Sequence, residues 1–228
     1  MAAVFDRTGF VDGTLDELRE IPPDIASLRR FRKHISRKLA SVDRRDVLAI
    51  AETLIARAAF GRFLAYELVL HHRDTLPAIT RDEVEILGRG MSSWADVDCF
   101  SCYVSGPAWA EDRIVDATIA GWAHSADRWW RRAALVSTVP LNTPARQGAG
   151  STARTLAACF LLIDDRDDMV VKALSWALRV LAKRDPQTVR RFLAEHQGRL
   201  AARVVREVEN KLTTGLKNPR KAQAGGQG

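Results

Sequence analysis

Apolar residues recur every three or four positions along most of the chain, which is the spacing of one face of an amphipathic α-helix. Over residues 24–39, for example, the apolar positions are Ile25, Leu28, Phe31, Ile35 and Leu39. No segment shows the regular alternation of apolar and polar residues that is typical of a half-buried strand. The pattern therefore predicts an all-α fold built from short helices that are joined by turns of a few residues.

Local signals predict where several of these helices begin and end. Thr80 followed three residues later by Glu83 has the pattern of a capping box, so a helix is expected to start there. Gly106 and Pro107 form a dipeptide that usually interrupts a helix, and they predict the end of the helix that contains Trp94.

The helix pairs recur at about 35 to 45 residues, which is the period of HEAT and armadillo repeats. This spacing predicts a single domain over residues 15–216, a HEAT-like helical-repeat solenoid with a concave basic face that could bind DNA. Residues 1–14 show little periodicity and are predicted to be a loose lead-in. Residues 217–228 are rich in Gly, Lys and Arg and are predicted to be a disordered tail. Residues 137–150 are predicted to be an irregular and mobile loop.

The charge balance is basic, with 35 Lys and Arg against 28 Asp and Glu and a formal net charge of +7. Such a balance is typical of proteins that bind nucleic acid or another polyanion, although basic proteins without such a partner are common. The predicted helix over residues 24–39 has a basic face, which is either solvated or in contact with phosphates. Its cationic residues are Arg29, Arg30, Arg32, Lys33, Arg37 and Lys38.

Cysteine and histidine positions argue against a metal site. Cys99 and Cys102 have the spacing of half a zinc site, but no second pair of cysteines follows them. His71 and His72 are adjacent, so on a helix they point to different sides. We therefore expect no metal and a reduced, cytoplasmic protein. The sequence also lacks a secretory signal and a membrane-spanning stretch, so no membrane partner is expected.

Three separated segments carry the candidate chemistry. The first is MSSWADVD, where Trp94 and Asp98 are four residues apart and share one side of a helix. The others are DRWWRRAAL at residues 127–135 and VKALSWALRV at residues 171–180. Together they offer a carboxylate, aromatic surfaces and arginines, although a single Trp or Asp on a helix more often serves the core or a cap. A concave site that binds a polyanion and stabilises a developing cation would need groups of this kind.

In order and spacing, the motifs SSWxxVD, WxRRxAxL and KALSWALR resemble those of the bacterial AlkD family of alkylpurine DNA glycosylases. The resemblance extends from Pro22 to Leu216 and includes PPDIASLRR, AYELVLHHR and DPQTVRRFLAEH. It implies a HEAT-like repeat protein that acts on double-stranded DNA containing alkylated purines, without a metal or an organic cofactor. We expect a monomer in the bacterial cytoplasm, associated with the nucleoid.

The resemblance also implies roles for four residues. Asp98 matches the acidic residue that stands next to the lesion nucleoside, and it is the candidate catalytic carboxylate. Trp94 and Trp176 match the two tryptophans that pack against the DNA backbone around the lesion deoxyribose. Arg132 matches the arginine of the WxRR segment that contacts the DNA backbone.

Two further arginines are candidate DNA contacts, and each has an alternative role. Arg131 either faces the DNA groove or solvent, and Arg179 either contacts DNA or packs between helices. The chain departs from the family in being shorter before its first motif and in lacking the acidic residue that commonly follows the arginine after Trp176. The tandem Trp129 and Trp130 is not given a catalytic role.

The activity that the resemblance implies is hydrolysis of the N-glycosidic bond of positively charged N3- or N7-alkylated purines, without deep base flipping. Some relatives resemble self-resistance glycosylases of organisms that produce DNA-alkylating antibiotics such as yatakemycin. Both small methyl lesions and bulky adducts are therefore candidate substrates. Two alternatives remain at this point: a non-catalytic HEAT-like protein that binds branched or distorted DNA, and a protein-interaction scaffold.

Overall fold

The computed structural model describes residues 5–58, 60–144 and 149–219. In these residues every regular element is a helix, and no strand is present, so the all-α helical-repeat prediction is confirmed. The α-helices are α1 (Arg7–Arg19), α2 (Ile25–Lys38), α3 (Arg44–Arg57), α4 (Gly61–His71), α5 (Arg81–Gly88), α6 (Trp94–Phe100), α7 (Gly106–Ala110), α8 (Asp116–Ala123), α9 (Arg128–Val136), α10 (Thr138–Leu141), α11 (Thr152–Leu161), α12 (Asp168–Leu181), α13 (Pro186–His196) and α14 (Ala202–Thr214). Leu76–Ala78 forms a 3₁₀-helix and Ser101–Ser105 a π-helix.

The chain divides into two compact units, Met1–Trp122 and Ala123–Gly228, which we call unit 1 and unit 2. The single domain expected over residues 15–216 stays a prediction. Among the described helices, none combines the length and the hydropathy that a membrane span would need.

Unit 1 is organised around α4, which packs against α2, α3 and α6. Gly61 begins α4 directly against the last turn of α3, where an added Cβ would lie 1.8 Å from the carbonyl oxygen of Leu54. Only glycine allows this close approach of two backbones. Ile35, Ile50 and Tyr66 are fully buried in the core that these helices enclose. The core therefore fixes α6, the helix that carries Trp94 and Asp98.

Unit 2 is organised around α12, which packs against α9, α11 and α14. Its buried residues occupy most of the helix circumference, and Leu178 has no exposed surface. Leu135 of α9 and Val208 of α14 are equally buried on the neighbouring helices. This packing fixes the position of Trp176, which α12 carries.

The prediction of a loose lead-in over residues 1–14 is wrong for residues 7–14. Asp6 caps α1 by accepting a hydrogen bond from the backbone N–H of Gly9 at 3.0 Å, and the helix begins at Arg7. Val11 and Leu15 on this helix are buried. Residues 1–4, and residues 220–228 of the predicted disordered tail, lie outside the described part of the chain.

Gly106 and Pro107 do not end the helix that begins at Trp94. The helix continues as the π-helix Ser101–Ser105, closed by a hydrogen bond from the Gly106 N–H to the Ser101 carbonyl, and then as α7. A proline ring clashes with the carbonyl of the preceding turn in a regular α-helix. The wider π-helical turn gives the Pro107 ring more room, so the chain stays helical.

The loop predicted over residues 137–150 is partly helical. Thr138–Leu141 forms α10, and its residues are buried. Asn142 then donates a hydrogen bond to the Thr155 hydroxyl at 2.8 Å, which ties the end of α10 to α11. The element is too short for its apolar residues to show a helical period. Residues 145–148 lie outside the described residues, and the mobility of the loop over residues 137–150 stays a prediction.

Candidate functional site

The first turn of α6 is fixed by a reciprocal capping box. Ser93 accepts a hydrogen bond from the Asp96 N–H at 3.2 Å, and the Asp96 carboxylate accepts from the N–H groups of Ser92 and Ser93 at 3.1 Å each. The sequence S-x-x-D at Ser93–Asp96 is a local signal for this arrangement. The cap holds in place the turn that begins with Trp94.

Trp94 and Asp98 lie one helical turn apart on α6, as their spacing predicts. Trp94 is 59% exposed, which is unusual for a large aromatic side chain, whereas Asp98 is half-buried. Val97 and Phe100 of the same helix are fully buried. The helix thus packs its apolar residues into the core while it leaves an indole surface and, one turn later, a carboxylate outside that core.

Two residues of α4 support the turn that leads into α6. The Tyr66 hydroxyl donates to the Leu87 carbonyl at 3.0 Å. Arg62 donates to the Tyr66 hydroxyl at 2.8 Å and to the Arg89 carbonyl at 2.7 Å. Burial raises the pKa of Tyr66 to about 12, and the nearby Arg62 guanidinium partly opposes this shift. Tyr66 therefore stays a neutral hydrogen-bond donor over the physiological pH range.

Glu67 holds two arginines of α2 against α4. Its carboxylate is only 3% exposed and accepts from Arg29 Nε at 3.2 Å and from Arg32 Nε at 3.1 Å. Because one carboxylate serves two guanidinium groups, this cluster keeps an excess of positive charge. Glu67 therefore acts in packing and charge balance at this position.

In unit 2, Arg132 and Arg131 of α9 are held by other residues of that unit. Arg132 is 5% exposed and donates to the Met169 carbonyl at 2.6 Å, which ties α9 to the first turn of α12. Arg131 pairs with Asp165 at 2.7 Å and donates to two backbone carbonyls of the preceding turn at 2.9 and 3.0 Å. A DNA contact by either arginine stays a prediction.

Trp176 of α12 is half-buried, and a buried polar network lies beside it. Ser175 donates to the Glu207 carboxylate at 2.5 Å and accepts from Arg179 Nε at 3.1 Å. Glu207 is 4% exposed, and its other oxygen lies 3.4 Å from the Lys217 ammonium. Burial lowers the pKa of Arg179, and the charge of Glu207 opposes that change. Of the two roles expected for Arg179, packing between helices is present in the structure. A contact with DNA stays a prediction.

Glu207 is a residue that the sequence reasoning missed. It lies on α14 between the buried residues Val204 and Val208, where a charged side chain needs a partner. An acidic residue within an apolar stripe is the signal that could have identified it. It supplies a carboxylate for Arg179 of α12 from a different helix, at 3.9 Å.

The described residues contain no group of three or more His, Cys, Asp or Glu side chains placed to hold a metal ion. Cys99, Cys102 and Cys159 form no disulfide in the described part of the chain, and burial raises the pKa of Cys159. The ring of His72 shares a hydrogen bond with the Thr75 hydroxyl at 2.7 Å inside unit 1.

Comparison with known proteins identifies the family. The sequence model of a family described as DNA alkylation repair enzyme matches residues 25–212, a span that begins at the start of α2 and ends within α14. The matched region includes both Asp98 and Trp176. No curated protein and no solved structure matches the chain.

Proposed function

Because the chain belongs to the family of DNA alkylation repair enzymes, we propose that it is a monofunctional DNA glycosylase for N3- and N7-alkylated purines in duplex DNA. Family membership gives the protein a role in DNA repair. The observation that carries the finer proposal is α6, on which the half-buried carboxylate of Asp98 follows the exposed indole of Trp94 by one helical turn.

The charge of the substrate explains why so few groups are required. A purine alkylated at N3 or N7 is cationic, so it is already a good leaving group and needs little acid catalysis. The remaining task is to stabilise the sugar, which acquires oxocarbenium character as the glycosidic bond breaks, and to admit water. A carboxylate and flat aromatic surfaces suit this task, and no general acid is needed at the base.

Each proposed residue has a distinct part in this reaction. Asp98 stabilises the positive charge of the sugar and accepts a proton from the water molecule whose oxygen bonds to the anomeric carbon. The base leaves with the electrons of the glycosidic bond as a neutral alkylpurine. Trp94 and Trp176 offer their indole faces to the deoxyribose and its developing charge. The proposed contacts to DNA phosphates are Arg131 and Arg132 of α9 and Arg179 of α12.

The bond from Arg132 to the Met169 carbonyl supports a second part for this residue. It joins α9 to α12, the helix that carries Trp176, so we propose that Arg132 also keeps that helix in position. None of the proposed site residues is a lysine that could act as a Schiff-base nucleophile, which favours simple hydrolysis over a lyase step. The product is an apurinic site that other repair enzymes would process.

The test is single-turnover release of 7-methylguanine from a defined duplex by the wild type and by Asp98→Asn. We expect the variant to be slower by about a hundredfold, which corresponds to about 2.7 kcal/mol in the activation free energy. Glu111→Gln is the matched control, because it removes an exposed carboxylate of unit 1 that is paired only loosely, with Arg113 at 4.0 Å. The control should release base at the wild-type rate.

The same assay is repeated with a 3-substituted adenine and with a bulky purine adduct, which also separates the two candidate substrate classes. If the wild type releases none of these bases, the glycosylase proposal fails. DNA binding without release would then favour the non-catalytic protein that recognises branched or distorted DNA. Loss of both release and DNA binding would favour the protein-interaction scaffold.

A further inference from the structure

Helix α2 carries three exposed cations on the side that faces away from the core. Arg30, Lys33 and Arg37 are separated by three and four residues, which places them within about 60° of one another around the helix. The opposite side buries Leu28 and Ile35. We call Arg30, Lys33 and Arg37 the α2 cationic face.

No carboxylate forms a direct ion pair with the α2 cationic face in the part of the chain that the structure describes. Arg30 donates to the Ser27 hydroxyl at 2.8 Å, and that hydroxyl donates to the Asp24 carboxylate at 2.7 Å. The hydrogen bonds from Ser27 are the main cause that lowers the pKa of Asp24, and the charge of Arg30 adds to it, so Asp24 offsets part of the charge of the face. Most other arginines and lysines of unit 1 are paired, as Arg57 is with Asp12 at 2.7 Å. A row of cations that is only partly compensated attracts a polyanion.

A side-chain contact links this face to the helical segment that follows Asp98. Arg29, next to Arg30 on α2, donates to the Tyr103 hydroxyl at 3.2 Å. Tyr103 belongs to the π-helix that continues α6. The neighbour of the α2 cationic face therefore contacts the π-helix that follows α6, and α6 carries the proposed catalytic carboxylate on the same compact unit.

The direction in which the pKa of His71 is shifted agrees with a positive potential in this region. Burial is the main cause that lowers the pKa of His71, and the charges of Arg32, Arg29 and Lys33 lower it further. The charge of Glu67 opposes them. The end of α4 thus experiences the field of the α2 cations.

We propose that the α2 cationic face holds consecutive phosphates of one strand of the duplex that flanks the lesion. From Arg30 to Arg37 the helix rises about 10 Å, which matches about three phosphate intervals of one DNA strand along the duplex axis. This inference rests on the proposed function in one respect, that duplex DNA is the substrate. It adds an anchoring surface that the lesion itself does not touch.

The experiment measures affinity for an undamaged duplex over a series of salt concentrations. The variant Arg30→Gln/Lys33→Gln/Arg37→Gln is expected to make the slope of log affinity against log salt shallower by about 2.7, which is about 0.9 for each phosphate that the variant no longer neutralises. The control Arg7→Gln/Arg19→Gln/Arg45→Gln removes the same charge from exposed positions on α1 and α3. It is expected to keep the wild-type slope. At saturating enzyme the α2 variant should release base at the wild-type rate.

The outcomes separate this inference from the glycosylase proposal. A wild-type slope for the α2 variant, or an equal change of slope in the control, overturns the anchoring surface whatever the base-release assay gives. If only the α2 variant loses affinity and the wild type releases no base, the surface stands and the glycosylase proposal fails. If the wild type binds no duplex at low salt, both are wrong.

His71 provides a readout that general charge effects would not reproduce. Bound phosphates would offset the field of the α2 cations, so the pKa of His71 should rise when undamaged duplex is added. Its imidazole proton resonances can be followed by NMR titration in the free and bound protein. The rise should be absent in the α2 variant and retained in the control, and no rise in the wild type would contradict the proposed position of the DNA.

Discussion

Tyr66 connects the core of unit 1 to the end of α5, just before the turn that leads into α6. It is fully buried, and its hydroxyl donates to the Leu87 carbonyl while it accepts from Arg62. The change Tyr66→Phe leaves both partners without this hydrogen bond. At pH 8 we expect the free energy of unfolding to fall by about 1 kcal/mol, measured by urea denaturation.

The difference in unfolding free energy between the wild type and Tyr66→Phe should depend on pH, because burial raises the pKa of Tyr66. The folded-state pKa of about 12 lies above the ordinary value of 10.0, so the neutral hydroxyl stabilises the fold fully below pH 10. That contribution is lost as the pH rises from 10 towards 12, because the unfolded chain ionises first. The stability gap between wild type and Tyr66→Phe should therefore narrow over this range, and a constant gap would contradict the assignment.

At the residue scale, the sequence predicted those arrangements that depend only on the interval between two residues of one helix. The four-residue interval between Trp94 and Asp98 placed both on one turn of a helix that the structure contains. The partner of Ser175 was not predictable in this way, since Glu207 lies 32 residues further along the chain. The ion pair of Arg131 with Asp165 was not predictable for the same reason, since Asp165 lies 34 residues further along the chain.

At the element scale, the capping box at the start of α6 should contribute measurably to stability. Ser93→Ala removes the side-chain acceptor for the Asp96 N–H and is expected to cost about 1 kcal/mol of unfolding free energy. Ser92→Ala is the matched control, because Ser92 is exposed and its contact with Asp96 uses the backbone N–H. Both variants can be compared by urea denaturation, and an equal decrease in both would show that the cap does not stabilise α6.

The elements that the sequence predicted well are those with strong end signals. The capping box of Thr80 and Glu83, for example, is present at the start of α5. The first part of α1, over residues 7–14, was missed although Val11, Leu15 and Leu18 have helical spacing, because Gly9 and Gly13 lower the helix propensity of that stretch. Packing of the apolar residues outweighs that cost, and packing is not visible in a single sequence.

At the scale of the whole chain, the order of three motifs was more informative than any one of them. Each motif is short and partly apolar, so each alone is also compatible with core packing. The order of the motifs along a chain of helical repeats indicated a DNA repair family. The family match over residues 25–212 agrees with that prediction. The preferred adduct depends on the shape of a bound complex, which neither helical spacing nor charge counts determine.

The net charge of +7 supports a prediction for the whole molecule. A protein that neutralises DNA phosphates releases condensed counterions, so its affinity falls as salt is added. Between 50 and 200 mM salt we expect the affinity for duplex DNA to fall by at least about tenfold, measured by fluorescence anisotropy. Asp98→Asn should show the same salt dependence, since Asp98 is proposed to act on the sugar and to neutralise no phosphate. An affinity that does not change with salt would exclude binding through cationic side chains. If the affinities of the wild type and of Asp98→Asn fall equally with salt, Asp98 contributes to catalysis and not to the binding of phosphates.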